Sequence, residues 1–310
     1  MSQLITDPLV SVILAVHNRQ DCVARAISSV LAQTYSPLEL IVIDDGSTDD
    51  TREVVKRFGG EVTLVSIPHS GVYVARNIGL QRAHGELIAF IDSDDYWFAD
   101  KLTLQVPLMK RAAVGLVFGD LIHVLAARED AEQTGLTCFR VSPPCSGRAT
   151  KSLSRRNFVP TCSVLVRRSC LEEIGGFSET SELSADYLAW FRISLRHEFA
   201  YVNRAVGEYT VHSSGISFDL GRALVTRINL FSSELKHTTD PATRTLLRRL
   251  LFNLSLHLSL AVLFRRARNE HEPLKLAWRT ARSSARFEAA TWTAAFALDQ
   301  LQVRTRRLLP

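Results

Sequence analysis

The chain has 310 residues, of which 46% are hydrophobic, and its formal net charge is +5. This length and hydrophobic content fit a packed globular core in one large domain, or in one domain with an appendage. No window reaches about 18 uncharged apolar residues and no basic patch precedes an apolar run at the start, so we expect neither a membrane span nor a signal peptide.

Apolar runs and amphipathic stretches alternate along the first third of the chain. Apolar residues at helical spacing predict helices over Val23–Leu31 and Val72–Ala83, and Ser47 with Asp50 three residues later predicts the start of a third. The resulting βαβαβαβ order predicts an α/β fold with a mainly parallel sheet flanked by helices. Continuous apolar runs predict the buried strands at Leu9–Val16, Leu38–Ile43, Val62–Ile67 and Leu87–Ile91.

Three polar clusters follow predicted strands at their carboxyl ends. They are Val16-His17-Asn18, Asp44-Asp45-Gly46-Ser47 and Asp92-Ser93-Asp94-Asp95. Ligands of open parallel sheets bind outside the carboxyl ends of the strands. We therefore expect the clusters to meet at one edge of the sheet and to form a single site.

The last cluster carries three carboxylates directly after a buried strand. Neighbouring carboxylates repel one another, and burying them without a partner destabilises the fold. Mg²⁺ or Mn²⁺ removes this repulsion and also accepts phosphate oxygens as ligands. A calcium loop is excluded, because Tyr96 and Trp97 stand where such a loop needs a ligand and a glycine. The run Asp92–Asp95 therefore predicts a metal-assisted site for a nucleoside diphosphate, and with it a transferase.

The second half of the chain is less regular. Arg128–Asn157 is polar and contains Pro143-Pro144, so we expect mostly loop of the kind that forms a substrate wall. A helix is predicted over Leu183–Leu195. From Asp219 onwards the pattern is helical, with breaks near Asp240-Pro241 and Glu272-Pro273. We therefore predict a catalytic domain over residues 1–218 and a basic amphipathic helical extension over residues 219–310.

The predicted extension is basic, whereas the body is mildly acidic. The extension holds 16 Lys+Arg and 7 Asp+Glu, a balance of +9 against −4 for the preceding residues. Its basic residues alternate with Leu, Val and Ala, a pattern that argues against nucleic acid. A leucine stripe indicates either a helix that packs on the body or an interfacial helix on anionic lipid. The stripe consists of Leu246, Leu247, Leu250, Leu251, Leu254 and Leu258.

Four blocks of the sequence resemble one known family. They run from Val10 to Asn18, from Glu39 to Asp49, from Ala75 to Gly79 and from Phe90 to Asp95. In this order and spacing they resemble the inverting family 2 glycosyltransferases of the glycosyltransferase A fold, over residues 8–217. The resemblance implies metal-dependent transfer of a sugar from a nucleotide sugar, with a UDP-sugar as the expected donor, to an acceptor hydroxyl. It also implies a role in surface polysaccharide or glycolipid assembly.

The resemblance implies which residues contact the nucleotide. Val16 and Asn18 would contact the base and ribose, beside His17, which stands where the family usually has tyrosine. Asp44 matches the carboxylate that accepts a hydrogen bond from the uracil imide. Arg76 matches an arginine that reaches the nucleotide. Two other interpretations stay open, which are Asn18 as a helix N-cap and Arg76 as a surface ion-pair residue.

Asp92-Ser93-Asp94 matches the Asp-x-Asp motif of the family. Asp94 would then bind Mn²⁺ or Mg²⁺, and Asp92 would face the ribose or a metal-bound water. His212 matches a histidine near the diphosphate and is a second candidate metal ligand. Asp95 is expected to be structural, as the cap of the next helix, and Asp45 as a turn residue.

The segment from Ala185 to Arg192 resembles the one that carries the catalytic base. Asp186 matches the aspartate that takes the proton from the acceptor hydroxyl, and its alternative role is a solvated carboxylate in the first turn of a helix. Ala185 replaces the glutamate that usually precedes this aspartate, and Thr210 replaces a common arginine. Glu182, one turn earlier, is the residue that could compensate for the missing glutamate.

Two alternatives remain beside glycosyl transfer. A sugar-nucleotide nucleotidyltransferase usually carries a glycine-rich phosphate loop where this chain has Val16-His17-Asn18-Arg19. The other is a non-catalytic nucleotide-sugar-binding protein of the same fold. We expect a nucleotide-sugar donor and a glycan or glycolipid acceptor as partners, and no nucleic acid. The five cysteines fall at no disulfide or metal spacing, which favours a cytoplasmic protein, either free or peripheral on the inner face of the membrane.

Overall fold

A single nine-stranded sheet organises the chain in the computed structural model, which describes residues 7–125, 132–181, 183–211 and 220–267. The strands are β1 Val10–Val16, β2 Leu38–Asp45, β3 Thr63–Ile67, β4 Leu87–Asp92, β5 Tyr96–Trp97, β6 Val114–Leu125, β7 Glu132–Thr137, β8 Leu165–Arg167 and β9 Glu198–Val211. Their order is β3-β2-β1-β4-β8-β6-β9-β5, and β7 pairs with β6.

Helices cover this sheet. They are α1 Val23–Leu31, α2 Thr51–Lys56, α3 Val72–Arg82, α4 Lys101–Gln105, α5 Cys138–Val141, α6 Thr150–Leu153, α7 Arg168–Glu173, α8 Ala185–Ser194, α9 Leu220–His237 and α10 Pro241–Ala267. The alternation of side chains along β1 explains why both faces need a cover. Val12 and Leu14 lie in one hydrophobic core together with α1, whereas Ile13 lies in a second core together with α3.

The four strands predicted in the first third of the chain are present and pair in parallel. β1 lies between β2 and β4, and β2 also pairs with β3. Helices follow as predicted between them, at α1 and α3. The predicted fold class, a mainly parallel α/β sheet of the glycosyltransferase A type with a helical C-terminal region, is confirmed.

Two local predictions are wrong. The segment Arg128–Asn157 is not mostly loop in its described part, because β7 pairs with β6 and is followed by α5 and α6. The helix expected to start at Ser47 begins at Thr51 instead. Ser47 is occupied in a turn, where its backbone N–H donates to Asp44 and its hydroxyl accepts from the N–H of Asn18.

The extension packs on the body through α9 and α10. The ring of Phe231 in α9 lies 5.0 Å from that of Tyr187 and 5.7 Å from that of Phe191, both in α8. Leu247 and Leu250 of α10 are fully buried in the same hydrophobic core. Of the two interpretations of the leucine stripe, packing on the body is therefore confirmed for the described residues.

The helical extension is interrupted where the sequence predicts. Asp240 precedes α10 and accepts hydrogen bonds from the backbone and the hydroxyl of Thr243, at 2.7 and 2.6 Å. The second predicted break, at Glu272-Pro273, lies outside the described residues. The domain boundary between residues 218 and 219 stays a prediction. None of the helices in the described part of the chain has the length and apolar content needed to cross a membrane.

Lys101 is a buried cation in the body of the fold. Its ammonium nitrogen donates to Oε1 of Gln105 at 2.8 Å and lies 3.9 Å from the centroid of the Trp97 ring. Burial lowers the pKa of Lys101 to about 7. The unfolded chain keeps a lysine pKa of about 10.4. Between these two values the unfolded chain binds more protons than the folded one, so stability rises with pH.

We expect the free energy of unfolding of the wild type to rise by about 2 kcal/mol from pH 7 to pH 9 relative to Lys101→Met. Urea unfolding at the two pH values measures this difference. Lys110→Met changes an exposed lysine and should keep the wild-type pH dependence. Equal pH dependence in the wild type and in Lys101→Met would contradict the lowered pKa.

Candidate active site

The register of the parallel strands brings the three polar clusters to one edge of the sheet. Val16 is the pairing partner of Asp44, and Ala15 is the partner of Asp92. Neighbouring strands lie about 4.8 Å apart. The carboxyl ends of β2, β1 and β4 therefore form one continuous rim, which is the candidate active site.

Asn18 holds two clusters of the rim together. It adopts a left-handed conformation with φ of 51°, and its Oδ1 accepts a hydrogen bond from the N–H of Thr48 at 2.8 Å. The alternative role as a helix N-cap is wrong, because α1 is preceded by Cys22. Val16 is 2% exposed, so its side chain is buried, and its predicted contact with a nucleotide stays a prediction.

Asp44 is fully buried beneath the rim. Its Oδ1 accepts from the N–H of Ser47 at 3.1 Å, and its Oδ2 accepts from Nε of Arg52 at 3.0 Å. Burial alone would raise the pKa of Asp44, but the hydrogen bonds from Ser47 and Arg52 hold the pKa below its ordinary value. Asp44 is fully buried and already pairs with Arg52, and its predicted contact with uracil stays a prediction.

Asp45 joins β2 to the start of α3. Its carboxylate accepts from the backbone N–H groups of Ser70 and Gly71, at 2.7 and 2.9 Å. His69 completes the contact, with Nδ1 3.0 Å from the carboxylate, and its ring stacks on His17 with 4.1 Å between centroids. Asp45 is thus a structural residue of the turn, and the stacked imidazoles lie at the rim.

Arg76 forms a buried ion pair with Asp92. Its guanidinium donates to Oδ1 of Asp92 at 2.6 Å and is only 5% exposed. Aromatic rings surround the guanidinium, with the centroids of Tyr73 and Phe90 at 5.4 and 5.9 Å. Arg76 is therefore not a surface ion-pair residue. The structure places it where it fixes the Asp92 carboxylate, and its predicted contact with the nucleotide stays a prediction.

The turn after β4 carries a buried carboxylate. Oδ1 of Asp95 accepts from the N–H of Thr210 at 2.9 Å, and Thr210 also donates its hydroxyl to the backbone oxygen of Asp94. The prediction that Asp95 caps the next helix is wrong, because α4 begins only at Lys101. Burial, together with the charges of Asp92 and Asp94, raises the pKa of Asp95 well above its usual range.

The carboxylates of this turn fit a divalent cation. Asp92, Asp95 and Cys162 each present one ligand atom, and these atoms lie within 4.8 Å of one another. The other Asp95 oxygen, Oδ2, lacks a hydrogen-bond partner among the described residues. Carboxylate oxygens suit Mg²⁺ or Mn²⁺, whereas burial raises the pKa of the Cys162 thiol and keeps it protonated. The predicted ligand His212 lies outside the described residues.

Asp186 lies in the first turn of α8 and is held by three hydrogen bonds. The Thr161 hydroxyl donates to its Oδ2 at 2.5 Å, and its Oδ1 accepts from the Tyr187 N–H at 2.8 Å and from the Tyr73 hydroxyl at 3.3 Å. Burial raises the pKa of Tyr73, so the phenol stays protonated as a donor. Asp186 is therefore half-buried and fixed, rather than a freely solvated carboxylate.

Tyr73 and Arg76 connect Asp186 to the rim. The Tyr73 hydroxyl contacts Asp186, its ring contacts the Arg76 guanidinium, and Arg76 pairs with Asp92. Tyr73 and Arg76 lie three residues apart on α3 and so share one face of that helix. The candidate base and the candidate metal turn are thus anchored to the same helix.

The two departures from the family pattern have local structural explanations. Ala185 is 1% exposed, so its side chain lies in the core rather than toward the rim. Ser184 precedes it with φ of 63°, and its hydroxyl accepts from Nε of Arg227 in α9 at 2.9 Å. Thr210 bonds to Asp94 and Asp95 in the turn Asp92–Asp95, the candidate metal turn. Glu182, the candidate compensating residue, lies outside the described residues.

Residues 175–177 pack beside α3. Asn77 exchanges hydrogen bonds with the backbone of Phe177, accepting at 2.8 Å and donating at 2.9 Å. Gly176 has φ of 75°, and a Cβ built there would lie 2.7 Å from the amide oxygen of Asn77. A glycine is therefore required for this close approach.

Sequence reasoning missed the supporting residues of the site. Tyr73 and Thr161 bond Asp186 from positions 113 and 25 residues away, and neither belongs to a motif of its own. The sequence offers one weak indication for Tyr73, which is its three-residue spacing from Arg76 and hence its position on the same face of the predicted helix. The sequence indicates Thr210 only as the replacement of a common arginine, and its bonds to the candidate metal turn follow from the pairing of β9 with β5.

Tyr73→Phe tests the support of Asp186. We expect kcat to fall about fivefold, because a hydrogen bond to a charged acceptor is lost while the ring stays in place. Steady-state kinetics of glycosyl transfer measure the effect. Tyr35→Phe is the matched control, since the Tyr35 hydroxyl donates to the backbone of Pro8 away from the rim. An equal loss in both variants would argue against a role of Tyr73 at the site.

Solved structures define the class of protein. The mannosyltransferase PcManGT from Pyrobaculum calidifontis, in complex with GDP-Man and Mn²⁺, superposes with a TM-score of 0.64 over 96% of this chain and 81% of that chain, at 22% identity. At this identity the likeness concerns the fold, which is that of the glycosyltransferase A enzymes. The profile described as Glycosyl transferase family 2 matches residues 11–175, more than half of the chain. The chain belongs to this family and is a glycosyltransferase.

Two relatives from Escherichia coli have named activities. WfaP is 28% identical over 231 residues, which cover 73% of this chain and 86% of WfaP. WfgD is 40% identical over 116 residues, which cover 37% of this chain and 46% of WfgD. Both are named UDP-Glc:alpha-D-GlcNAc-diphosphoundecaprenol beta-1,3-glucosyltransferases. The chain thus matches most of one relative and less than half of the other.

Proposed function

We propose that this glycosyltransferase is metal-dependent and inverting, and that it moves a sugar from a UDP-sugar to an acceptor hydroxyl. The observation that carries the proposal is the connection from Asp186 through Tyr73 and Arg76 to Asp92. It supports a base and a metal turn that act on one bound donor. The family assignment favours glycosyl transfer over the nucleotidyltransferase alternative.

The donor nucleotide is proposed to lie along the rim. The base and ribose would contact the backbone of Val16 and the side chains of Asn18 and Asp44, and the diphosphate would lie over the turn Asp92–Asp95. Asp94 would hold Mn²⁺ or Mg²⁺, Asp92 would face the ribose or a metal-bound water, and His212 would be a further ligand. When bound, the ion neutralises the charge that grows on the leaving diphosphate. Arg76 keeps Asp92 in place through its buried ion pair.

Asp186 is proposed to act as the general base. Three donors orient its carboxylate, which is half-buried. It would take the proton of the acceptor hydroxyl as the acceptor oxygen bonds to the anomeric carbon. The bond from that carbon to the diphosphate oxygen breaks on the opposite face, so the configuration inverts.

The acceptor is proposed to be a lipid-linked glycan. Both Escherichia coli relatives are named for a diphosphoundecaprenol-linked acceptor. Such an acceptor would place the protein at the cytoplasmic face of a membrane, in surface polysaccharide or glycolipid assembly. The candidate acceptor walls are the segment 175–177 beside α3 and the region around α5 and α6.

A thermal-shift screen tests donor and metal together. We expect UDP-glucose or UDP-N-acetylglucosamine to raise the melting temperature with Mn²⁺ and to do so much less with EDTA, because the diphosphate and the ion bind together. GDP-mannose serves as the comparison nucleotide. If GDP-mannose stabilised the protein and the two UDP-sugars did not, the donor would be a guanosine nucleotide sugar. If no nucleotide sugar stabilised the protein, the proposal would be contradicted.

A further inference from the structure

A basic cavity lies between α6 and α10. It has a volume of about 420 Å³, and four cationic side chains line it, two from each helical region: Lys151, Arg155, Arg248 and Arg249. The lining contains no carboxylate among the described residues. The candidate site residues Asp44, Asp92 and Asp186 are not part of it.

The positive charge of this cavity is uncompensated. No ion pair joins any of its four cations to a carboxylate in the part of the chain that the structure describes. α10 contains no Asp or Glu, and neither does the stretch from Arg148 to Arg156. Four cations that converge without an acid form a site for an anion.

An exposed apolar edge adjoins the cations. Phe252 lines the cavity and is 58% exposed, and Leu256, one turn further along α10, is 38% exposed. Arg248, Phe252 and Leu256 are spaced by four residues and so lie along one face of the helix. A soluble anion makes no use of an exposed phenylalanine. A lipid surface uses both features, because headgroup phosphates pair with the cations while the ring enters the acyl boundary.

We propose that the cavity between α6 and α10 is a docking site for the phosphate headgroups of anionic lipids. Arg248, Arg249, Lys151 and Arg155 bind the headgroups, and Phe252 and Leu256 enter the interface. The opposite face of α10 is packed on the body through Leu247 and Leu250, so the helix would lie flat on the membrane surface. Docking is independent of the identity of the donor sugar.

Vesicle co-sedimentation of the full chain tests the proposal. We expect binding to vesicles of phosphatidylcholine with phosphatidylglycerol, and weak binding to phosphatidylcholine alone. Arg248→Gln/Arg249→Gln should lower the affinity for the anionic vesicles about 30-fold, since two surface cations are lost. Arg82→Gln/Lys110→Gln is the matched control, because it removes two exposed cations elsewhere and should lower the affinity less than about threefold.

Phe252→Ser separates insertion from simple charge attraction. It should lower vesicle affinity about tenfold while the protein stays folded, because the ring is exposed in the free protein. All three variants should bind UDP-glucose as the wild type does, so failed docking and a failed donor assignment give different results. Equal loss in the cavity and control pairs would overturn the proposal, as would equal binding to neutral vesicles. Saturable binding of inorganic phosphate without vesicle binding would assign the cavity to a soluble anion instead.

Discussion

Asp94→Asn is expected to lower glycosyl transfer at saturating Mn²⁺ by at least about 1000-fold, because a lost metal ligand removes several kcal/mol of transition-state stabilisation. The amide has nearly the shape of the carboxylate. Thr210 holds the turn through the backbone oxygen of Asp94 and the carboxylate of Asp95, and the substitution leaves both contacts in place. The loss should therefore come from the chemistry and not from unfolding.

Product formation from a UDP-sugar and a lipid-linked acceptor measures this effect, with circular dichroism to verify folding. Asp100→Asn is the matched control, since Asp100 pairs with Arg204 at 3.0 Å on the surface and should be dispensable for activity. The wild type should lose turnover in EDTA and regain it with Mn²⁺. Full activity of Asp94→Asn, or of the wild type in EDTA, would show that the metal turn has another role.

Asp186→Asn is expected to lower kcat by about 100- to 10,000-fold, the range that general acid–base catalysis contributes. Asparagine can keep one oxygen as an acceptor for the Tyr187 N–H, so the first turn of α8 should stay intact. An amide cannot take the acceptor proton. Donor affinity, measured by titration with the UDP-sugar, should change less than about threefold.

The comparison with Tyr73→Phe makes this experiment decisive. Asp186→Asn, which removes the base, should lower kcat far more than Tyr73→Phe, which removes one hydrogen bond to the base. Both variants should bind the UDP-sugar with wild-type affinity. If Asp186→Asn kept most of its kcat, another residue would have to be the general base. If it lost donor affinity in proportion, Asp186 would be a binding residue instead.

The rim itself could be predicted from the sequence, because the apolar runs that form its strands are short, local sequence patterns. Continuous apolar runs end at Val16, at the Asp44-Asp45 pair and at Asp92, and parallel pairing aligns those ends. The βαβ order is encoded in short segments, each of which carries its own periodicity. This is why the positions of the strands, the helix over α3 and the acidic turn agree with the structure.

The contacts between distant segments could not be predicted in the same way. Asp95 has the sequence appearance of a helix cap, but Thr210, which is 115 residues away, provides its donor. Asp44 is expected to contact the nucleotide, but no sequence pattern indicates that Arg52 and Ser47 also donate to its carboxylate. Such pairings depend on how β9 crosses the sheet and how α2 turns back on β2, and no local spacing reports them.

The bond from Arg227 to Ser184 has a practical consequence for engineering. α9 holds the residue two positions before Asp186, and Glu234 of the same helix pairs with Arg192 of α8 at 2.5 Å. A chimaera of two relatives that is joined ahead of α9 would combine α8 of one protein with α9 of the other. It would then lose the contacts from α9 that hold α8 and its candidate base, Asp186. Splice points for such hybrids belong beyond α10.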